Sequence, residues 1–249
     1  MVDEDQFSGW AEYYDLIYEG RNEEDKQFYL DEMDKTEGKI LEIGCGTGRI
    51  YIPALEKGID IYGFDISGEM IEKLREKAEN KGLEPKVKQA DMTDFSYNQK
   101  FSLIIIPFRT YLHNLTVQEQ LDTLKNCKEH LEEDGKLILN FYLPDYEKVA
   151  EGDGSKSIEE IEKDGETFRR EVEVSWQSEI EEVRKIHNRM YNSKEELVWE
   201  SEFKTKIVSK PKFELLLRNA EFSDWQVYGG FNKDKLESTS QEAVWIVEK

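Results

Sequence analysis

Between residues 38 and 144, short apolar runs alternate with stretches of helical period. Residues 39–43, 59–64, 86–90, 101–106 and 136–143 carry runs of strand length, which predicts strands covered on both faces. The stretches between them repeat apolar residues every three or four positions. After Asp65, Ser67 can cap a helix whose inward positions are Met70, Ile71, Leu74 and Ala78, with Gly82 as its stop. Thr116 and Glu119 have the spacing of a capping box ahead of Val117, Leu121, Leu124 and Leu131. Strand and helix in alternation predict an α/β fold, a parallel sheet between two helical layers.

The pattern changes after Pro144. Residues 151–157 (EGDGSKS) are polar and rich in Gly and Ser, the composition of a boundary. Phe168, Arg170, Val172, Val174 and Trp176 then share one side of an alternating run, and Leu197, Trp199, Phe203 and Ile207 share one side of another. These read as antiparallel strands with one solvated face. Between them Ile180, Val183, Ile186 and Met190 fit a helix as well as a strand. Residues 210–220 read as a helix with Pro211 in its first turn, and 225–228 and 243–247 as two closing strands. The chain thus divides into one α/β domain, 1–149 with 211–249, and an antiparallel β insert, 150–210.

Composition narrows the function classes. With 38% apolar and 12% aromatic residues the chain can build a core, so its polarity does not signal disorder. The net charge of −21 repels phosphate backbones and anionic lipid, which argues against nucleic acid and membrane surfaces as partners. Two cysteines without a CxxC, and an acidic start (MVDEDQFSGW) without a leader's apolar stretch, point to a cytoplasmic protein. His113, His130 and His187 lack the spacing of a metal set.

The chemistry concentrates in residues 39–49, KILEIGCGTGR. A strand runs into Gly44, Gly46 and Gly48, and a helix follows. Glycines permit a tight turn and close approach of a ligand, and this loop must lie at the carboxyl ends of the strands, where open parallel sheets bind ligands. The dinucleotide pattern GxGxxG would need a third glycine where Arg49 stands, and no GK[ST] follows, so a pyrophosphate ligand and a nicotinamide oxidoreductase are disfavoured. Asp65 ends the second strand about 20 residues beyond the loop, where a carboxylate can accept from both hydroxyls of a ribose. Asp91 ends the third strand in QADMTDF, where it can accept from an adenine amino group while Met92 packs on the ring.

With these residues the sequence resembles the class I S-adenosylmethionine (SAM)-dependent methyltransferases. LEIGCGTG, GFDIS, QADMTDF, FSLIIIP and HLEEDGKLIL are similar to that family's successive motifs, over residues 7–145 and more weakly 211–249. Ser102 stands where the family's fourth strand commonly has an acid. The resemblance implies a Rossmann-like, seven-stranded, mostly parallel sheet with helices on both faces and the last strand antiparallel, plus the insert. It implies SAM as cofactor: Gly44, Cys45 and Gly46 at its methionine part, Asp65 and Ile66 at the ribose, Asp91 and Met92 at the adenine, with Met70 and Pro107 also among the cofactor contacts. Glu42 is expected to orient the loop and the ligand's amino group. Residues 7–20 (FSGWAEYYDLIYEG) look like the lid helix of small-molecule members, which brings Tyr14 and Tyr18 to the methionine end and Arg21 to its carboxylate.

Methyl transfer needs donor and acceptor aligned, and a base only where the nucleophile must lose a proton. The candidates follow the fourth strand: His113 as base, Arg109 to hold an anionic acceptor, and Tyr111 as a pocket wall or core residue. Trp176, Tyr191 and Trp199 are further candidates from the insert, which covers the acceptor pocket or forms a dimer contact. The expected reaction is methyl transfer to an N or O of a small soluble acceptor, N preferred on the insert's resemblance to N-methyltransferases, by a monomer or homodimer. The alternative is a regulatory protein that binds SAM or its product without turnover.

Overall fold

The computed structural model describes residues 9–18, 23–147, 154–163 and 165–249. Its centre is the stretch FSLIII, strand β4 (Phe101–Ile106), whose five apolar side chains are all buried. A strand with no polar face must be covered twice, and this one lies inside a seven-stranded sheet with a core on either side. Beside β4 runs β1 (Ile40–Ile43), then β2 (Ile61–Asp65) and β3 (Lys86–Gln89), all parallel. On its other side lies β5 (Leu131–Tyr142), also parallel. Two later strands, β10 (Asp224–Gly229) and β11 (Glu242–Glu248), complete the order β10-β11-β5-β4-β1-β2-β3, with β11 antiparallel to both its neighbours. The expected Rossmann-like sheet is therefore present, down to its antiparallel last strand.

The helices are α1 (Trp10–Tyr18), α2 (Glu23–Asp34), α3 (Tyr51–Glu56), α4 (Gly68–Glu79), α5 (Val117–His130) and α6 (Lys210–Asn219). Their starts follow the expected chemistry. The Ser67 hydroxyl accepts from Met70 N and opens α4, and Ser209 does the same for α6, with Pro211 in the first turn. Thr116 and Glu119 form a complete capping box on α5, an arrangement worth about 0.5–2 kcal/mol. Val117, expected to face inward, is exposed, and Leu131 leaves the helix as the first residue of β5. Among the described residues no helix is long and apolar enough to cross a membrane.

The insert is a separate antiparallel sheet, β6-β7-β8-β9. Its strands are β6 (Ser155–Lys163), β7 (Glu166–Ser178), β8 (Val183–Tyr191) and β9 (Leu197–Lys206). Residues 155–157, expected in a polar boundary, belong to β6, and the ambiguous segment is strand β8. One face of this sheet packs on α1. Trp10 meets Trp199 edge to face at 4.7 Å and Phe203 at 5.7 Å, and Tyr13 stacks on Trp199 at 5.4 Å. Helix α1 is thus held between the insert and the main domain, where Gly9 N donates to the Glu69 carboxylate of α4.

Candidate functional site

The carboxyl ends of β1, β2, β3 and β4 open on one cavity of about 750 Å³. The glycine loop forms its floor. Gly44 and Gly46 take φ +71° and +51°, which side chains beyond glycine rarely adopt. Gly44 N and Cys45 N both donate to the Phe64 carbonyl of β2, at 2.8 and 3.0 Å, fixing the turn to the neighbouring strand. A Cβ on Gly46 would meet no described residue within 4 Å, so this part of the loop is bare backbone facing the cavity.

Asp65 joins the pieces. Its Oδ2 accepts from Gly46 N and its Oδ1 from Ser67 N, each at 2.9 Å. One carboxylate thus ties the glycine loop to the start of α4. Burial raises its carboxyl above the usual range, and its hydrogen bonds from Ser67 N and Gly46 N oppose that rise. A carboxylate has about four acceptor sites, so roughly two remain for a ligand. Ile66, Met70, Asp91 and Met92 continue the same wall. Asp91 Oδ1 accepts from Thr93 N and Oγ1, which aims the carboxylate across the end of β3.

Glu42 lies behind this wall, almost wholly buried, with Arg49, Asp65 and Asp25 as its charged neighbours. Burial lifts its carboxyl well above the usual range, and its Oε2 has no hydrogen-bond partner among the described residues. Arg49 is paired bidentately with Asp25 at 2.7 and 2.5 Å and lies 5.0 Å over the Phe108 ring. Tyr14 and Tyr18 of α1 close the cavity against Phe108, with ring centroids 6.5 and 4.9 Å away. Arg21 lies outside the described residues. Helix α1 is also anchored below: Asp15 accepts from Thr47 Oγ1 of the glycine loop at 2.7 Å and from Lys77 Nζ at 2.9 Å.

After β4 the chain turns abruptly. Phe108 and Arg109 both take left-handed φ values, +57° and +68°, a strain of about 1–3 kcal/mol each that surrounding contacts must hold. Asn140 of β5 holds it: its Oδ1 accepts from Phe108 N and from the Tyr29 hydroxyl, and its Nδ2 donates to Glu242. Glu242 in turn receives the Arg109 guanidinium at 3.0 and 2.7 Å. Arg109 lines the cavity, but its charge is matched by Glu242. The turn leads into a short 3-10 turn, Thr110–His113, that sets His113 on the cavity wall. Burial lowers the imidazole from its ordinary 6.5 to about 4, so it is neutral at pH 7.

Several expected contacts are not brought together. Tyr111 is fully buried in the main core and donates its hydroxyl to the Gln120 carbonyl, so it does not reach the cavity. The Cys45 side chain points away from the cavity, into the core beside Gly63, because neighbouring residues of the turn face opposite ways; burial keeps its thiol protonated. Pro107 is buried behind the turn, where its carbonyl accepts from Thr110. From the insert, Trp199 packs on α1, Trp176 lies under Arg184 and Tyr191 under Arg169. The insert residues on the cavity wall are Ile186, Phe203 and Thr205. Asn140 and Glu242 were not expected. Asn140 had a signal, the one polar residue in the apolar run LILNFYL, whereas Glu242 had none without the register of β11 on β5.

The arrangement fits an adenosyl ligand. It combines an open approach over Gly46, free acceptor capacity on Asp65, a buried carboxyl atom of Glu42 without a partner among the described residues, and aromatic closure by α1. A family model described as a methyltransferase domain matches residues 40–135. An uncharacterized methyltransferase of Staphylococcus carnosus is 33% identical over 141 residues, 53% of this chain and 64% of that one. A dTDP-3-amino-3,4,6-trideoxy-alpha-D-glucopyranose N,N-dimethyltransferase of Streptomyces venezuelae is 26% identical over 167 residues, 64% of this chain and 67% of that one. The chain therefore spans about two thirds of the length of these curated relatives. A crystal structure of a SAM-dependent methyltransferase from Clostridium acetobutylicum shares the fold, with a TM-score of 0.80 at 17% identity, over 97% of this chain and 98% of that one.

Proposed function

We propose that this chain is a class I SAM-dependent methyltransferase that moves the methyl group of SAM to the nitrogen of a small soluble acceptor. The observation that carries this reading is the Asp65 clamp, which places two spare acceptor sites beside a bare glycine turn at the mouth of the cavity. Asp65 holds the ribose hydroxyls, Asp91 and Met92 take the adenine, and Gly44, Gly46, Tyr14 and Glu42 surround the amino-acid end. The bound cofactor supplies a methyl group already activated on a sulfonium.

The acceptor half lies between Phe108, Arg109, His113 and the insert. An alcohol loses its proton about as reluctantly as water, near 15.7, and an imidazole poised at about 4 cannot take it. Burial also pushes Tyr14 up, so its phenol is no base. A neutral amine needs no base before attack. The carboxyl groups around the cavity, those of Asp65, Asp91 and Glu242 among them, would offset the positive charge that methylation leaves on the amine's nitrogen. His113 then orients the amine by a hydrogen bond instead of deprotonating it. The Streptomyces venezuelae relative is named for an amino sugar, and an amino sugar or similar small amine is the acceptor class favoured here.

Incubation with SAM and a panel of amino sugars, amino acids and matched alcohols, read by mass spectrometry of product, tests this. Methylated amines with unmethylated alcohols support it. SAM binding without turnover of any acceptor points instead to a regulatory protein that senses the cofactor.

A further inference from the structure

Asn114 ends the 3-10 turn that carries His113, and it is fully buried. A leucine fills a place of this size without burying an amide, so the amide calls for a reason. Part of the reason is local. The Asn114 Oδ1 accepts from the Thr123 hydroxyl of α5 at 3.2 Å, and its backbone carbonyl accepts from Gln120 Nε2, also at 3.2 Å. These bonds brace the turn on α5. The amide nitrogen reaches the other way, and its Nδ2 donates to the Met92 sulfur at 3.4 Å. A thioether has no hydrogen to give, so the NH2 end of the amide must face the sulfur and the oxygen must face Thr123. Met92 follows Asp91 beyond the end of β3, is 7% exposed and lines the cavity. A methionine side chain turns about three bonds and adapts to the surface it meets. A hydrogen bond on its sulfur selects among those rotamers and so fixes the direction of the terminal methyl group.

We propose that Asn114 is a positioning residue for the cofactor: by holding the Met92 sulfur it makes the Met92 side chain a fixed platform for the adenine ring, and through the turn it ties that platform to the acceptor wall at His113. The proposal rests on the methyl-transfer reading above, in which Met92 meets the adenine. Asn114 is itself sealed from the cavity and acts through Met92.

The test labels the methionine methyl groups of the full chain with carbon-13 and titrates in S-adenosylhomocysteine. The Met92 signal is assigned by its loss in Met92→Leu. In wild type it is expected to move upfield under the ring current of the adenine. In Asn114→Leu it is expected to move less, and calorimetry to show the Kd for S-adenosylhomocysteine raised roughly 2- to 12-fold. Asn114→Ser, whose hydroxyl is too short to reach the sulfur, is expected to do the same and stands in if Asn114→Leu does not fold. Met92→Leu weakens binding by a similar factor. Adding Asn114→Leu to it is expected to cost less than a further twofold, because no sulfur is left to hold. Thr123→Val removes the brace and leaves the sulfur contact; it is expected to lower Tm with Kd within twofold. Factors that multiply in full in the double variant, or an equal loss of binding in Thr123→Val, make Asn114 a brace of the turn and overturn the proposal. A wild-type Met92 signal that stays in place while the ligand binds overturns it without any variant, and methyl transfer still stands. A wild type that binds no S-adenosylhomocysteine counts against the methyl-transfer reading itself, and the proposal falls with it.

Discussion

Replacing Asp65 by Asn isolates the contribution of one carboxylate. Gly46 N and Ser67 N occupy about two of its four acceptor sites, and the ribose hydroxyls take the others. Asparagine keeps one oxygen and turns the second acceptor into a donor. The loss of one charge-assisted hydrogen bond is about 1.5–3 kcal/mol, or roughly 10- to 150-fold in Kd. In a thermal melt with SAM at about 100 times the wild-type Kd, ligand binding stabilises wild type by about 2.7 kcal/mol, which raises Tm by roughly 5–10 °C for a chain of this size. If binding is about a hundredfold weaker, the same SAM concentration adds about 0.4 kcal/mol, a rise of about 1 °C. Calorimetric titration gives the Kd directly. A Kd within twofold of wild type, with the full SAM-dependent rise retained while the ligand-free Tm falls, would show that Asp65 only braces the loop and would refute the reasoning.

Gly46→Ala places a methyl group on a left-handed residue where no described residue lies within 4 Å; the ligand-free Tm is expected to fall modestly, for a strain of about 1–2 kcal/mol, while the SAM-dependent rise disappears because the methyl occupies cofactor space. Asp15→Ala cuts the link from α1 to Thr47 and Lys77; it is expected to speed SAM dissociation in stopped-flow traces while costing about 1 kcal/mol or less in urea unfolding, and an unchanged off-rate would contradict a role in closure. The imidazole of His113 is depressed from 6.5 to about 4 by burial, so it contributes stability that is present above pH 6.5 and is lost as pH falls towards 4. Urea unfolding of His113→Gln across that window should therefore show a shallower decline than wild type, by up to about 1.4 kcal/mol per pH unit, and parallel declines would place the imidazole in solvent.

The centre of the sheet was legible because β1, β4 and the second half of β5 are buried and read as nearly continuous apolar runs, β4 above all, whereas the edge strand β3 (KVKQ) is half exposed. The insert was harder for a physical reason. Its inward positions on β8 include Arg184 and Asn188, both buried, so the alternation that marks a half-buried strand was broken by polar residues. Strand β6 pairs on one side only and is mostly exposed, which gave it the composition of a linker. Helix α2 buries three consecutive residues, Phe28, Tyr29 and Leu30, a pattern that hides a helical period. In the site, Gly44, Gly46, Asp65 and Asp91 could be placed because the carboxyl ends of parallel strands converge on one rim. Side-chain direction within the turns could not be read, so Cys45 was expected at a cavity it faces away from, and Tyr111, left open between pocket wall and core, lies in the core. The clasp of Arg109 by Glu242 joins residues far apart in sequence and depends on the register of the last strand.

The account stands on the way the rim of the sheet holds an adenosyl group, and a crystal structure with S-adenosylhomocysteine reads that most directly. Both ribose hydroxyls are predicted within hydrogen-bond distance of the Asp65 carboxylate, with the adenine against Asp91 and Met92 and the thioether sulfur facing His113 across the acceptor half. A nucleoside seated elsewhere in the cavity, or an Asp65 that keeps only its Gly46 and Ser67 partners while the ligand is bound, would contradict it.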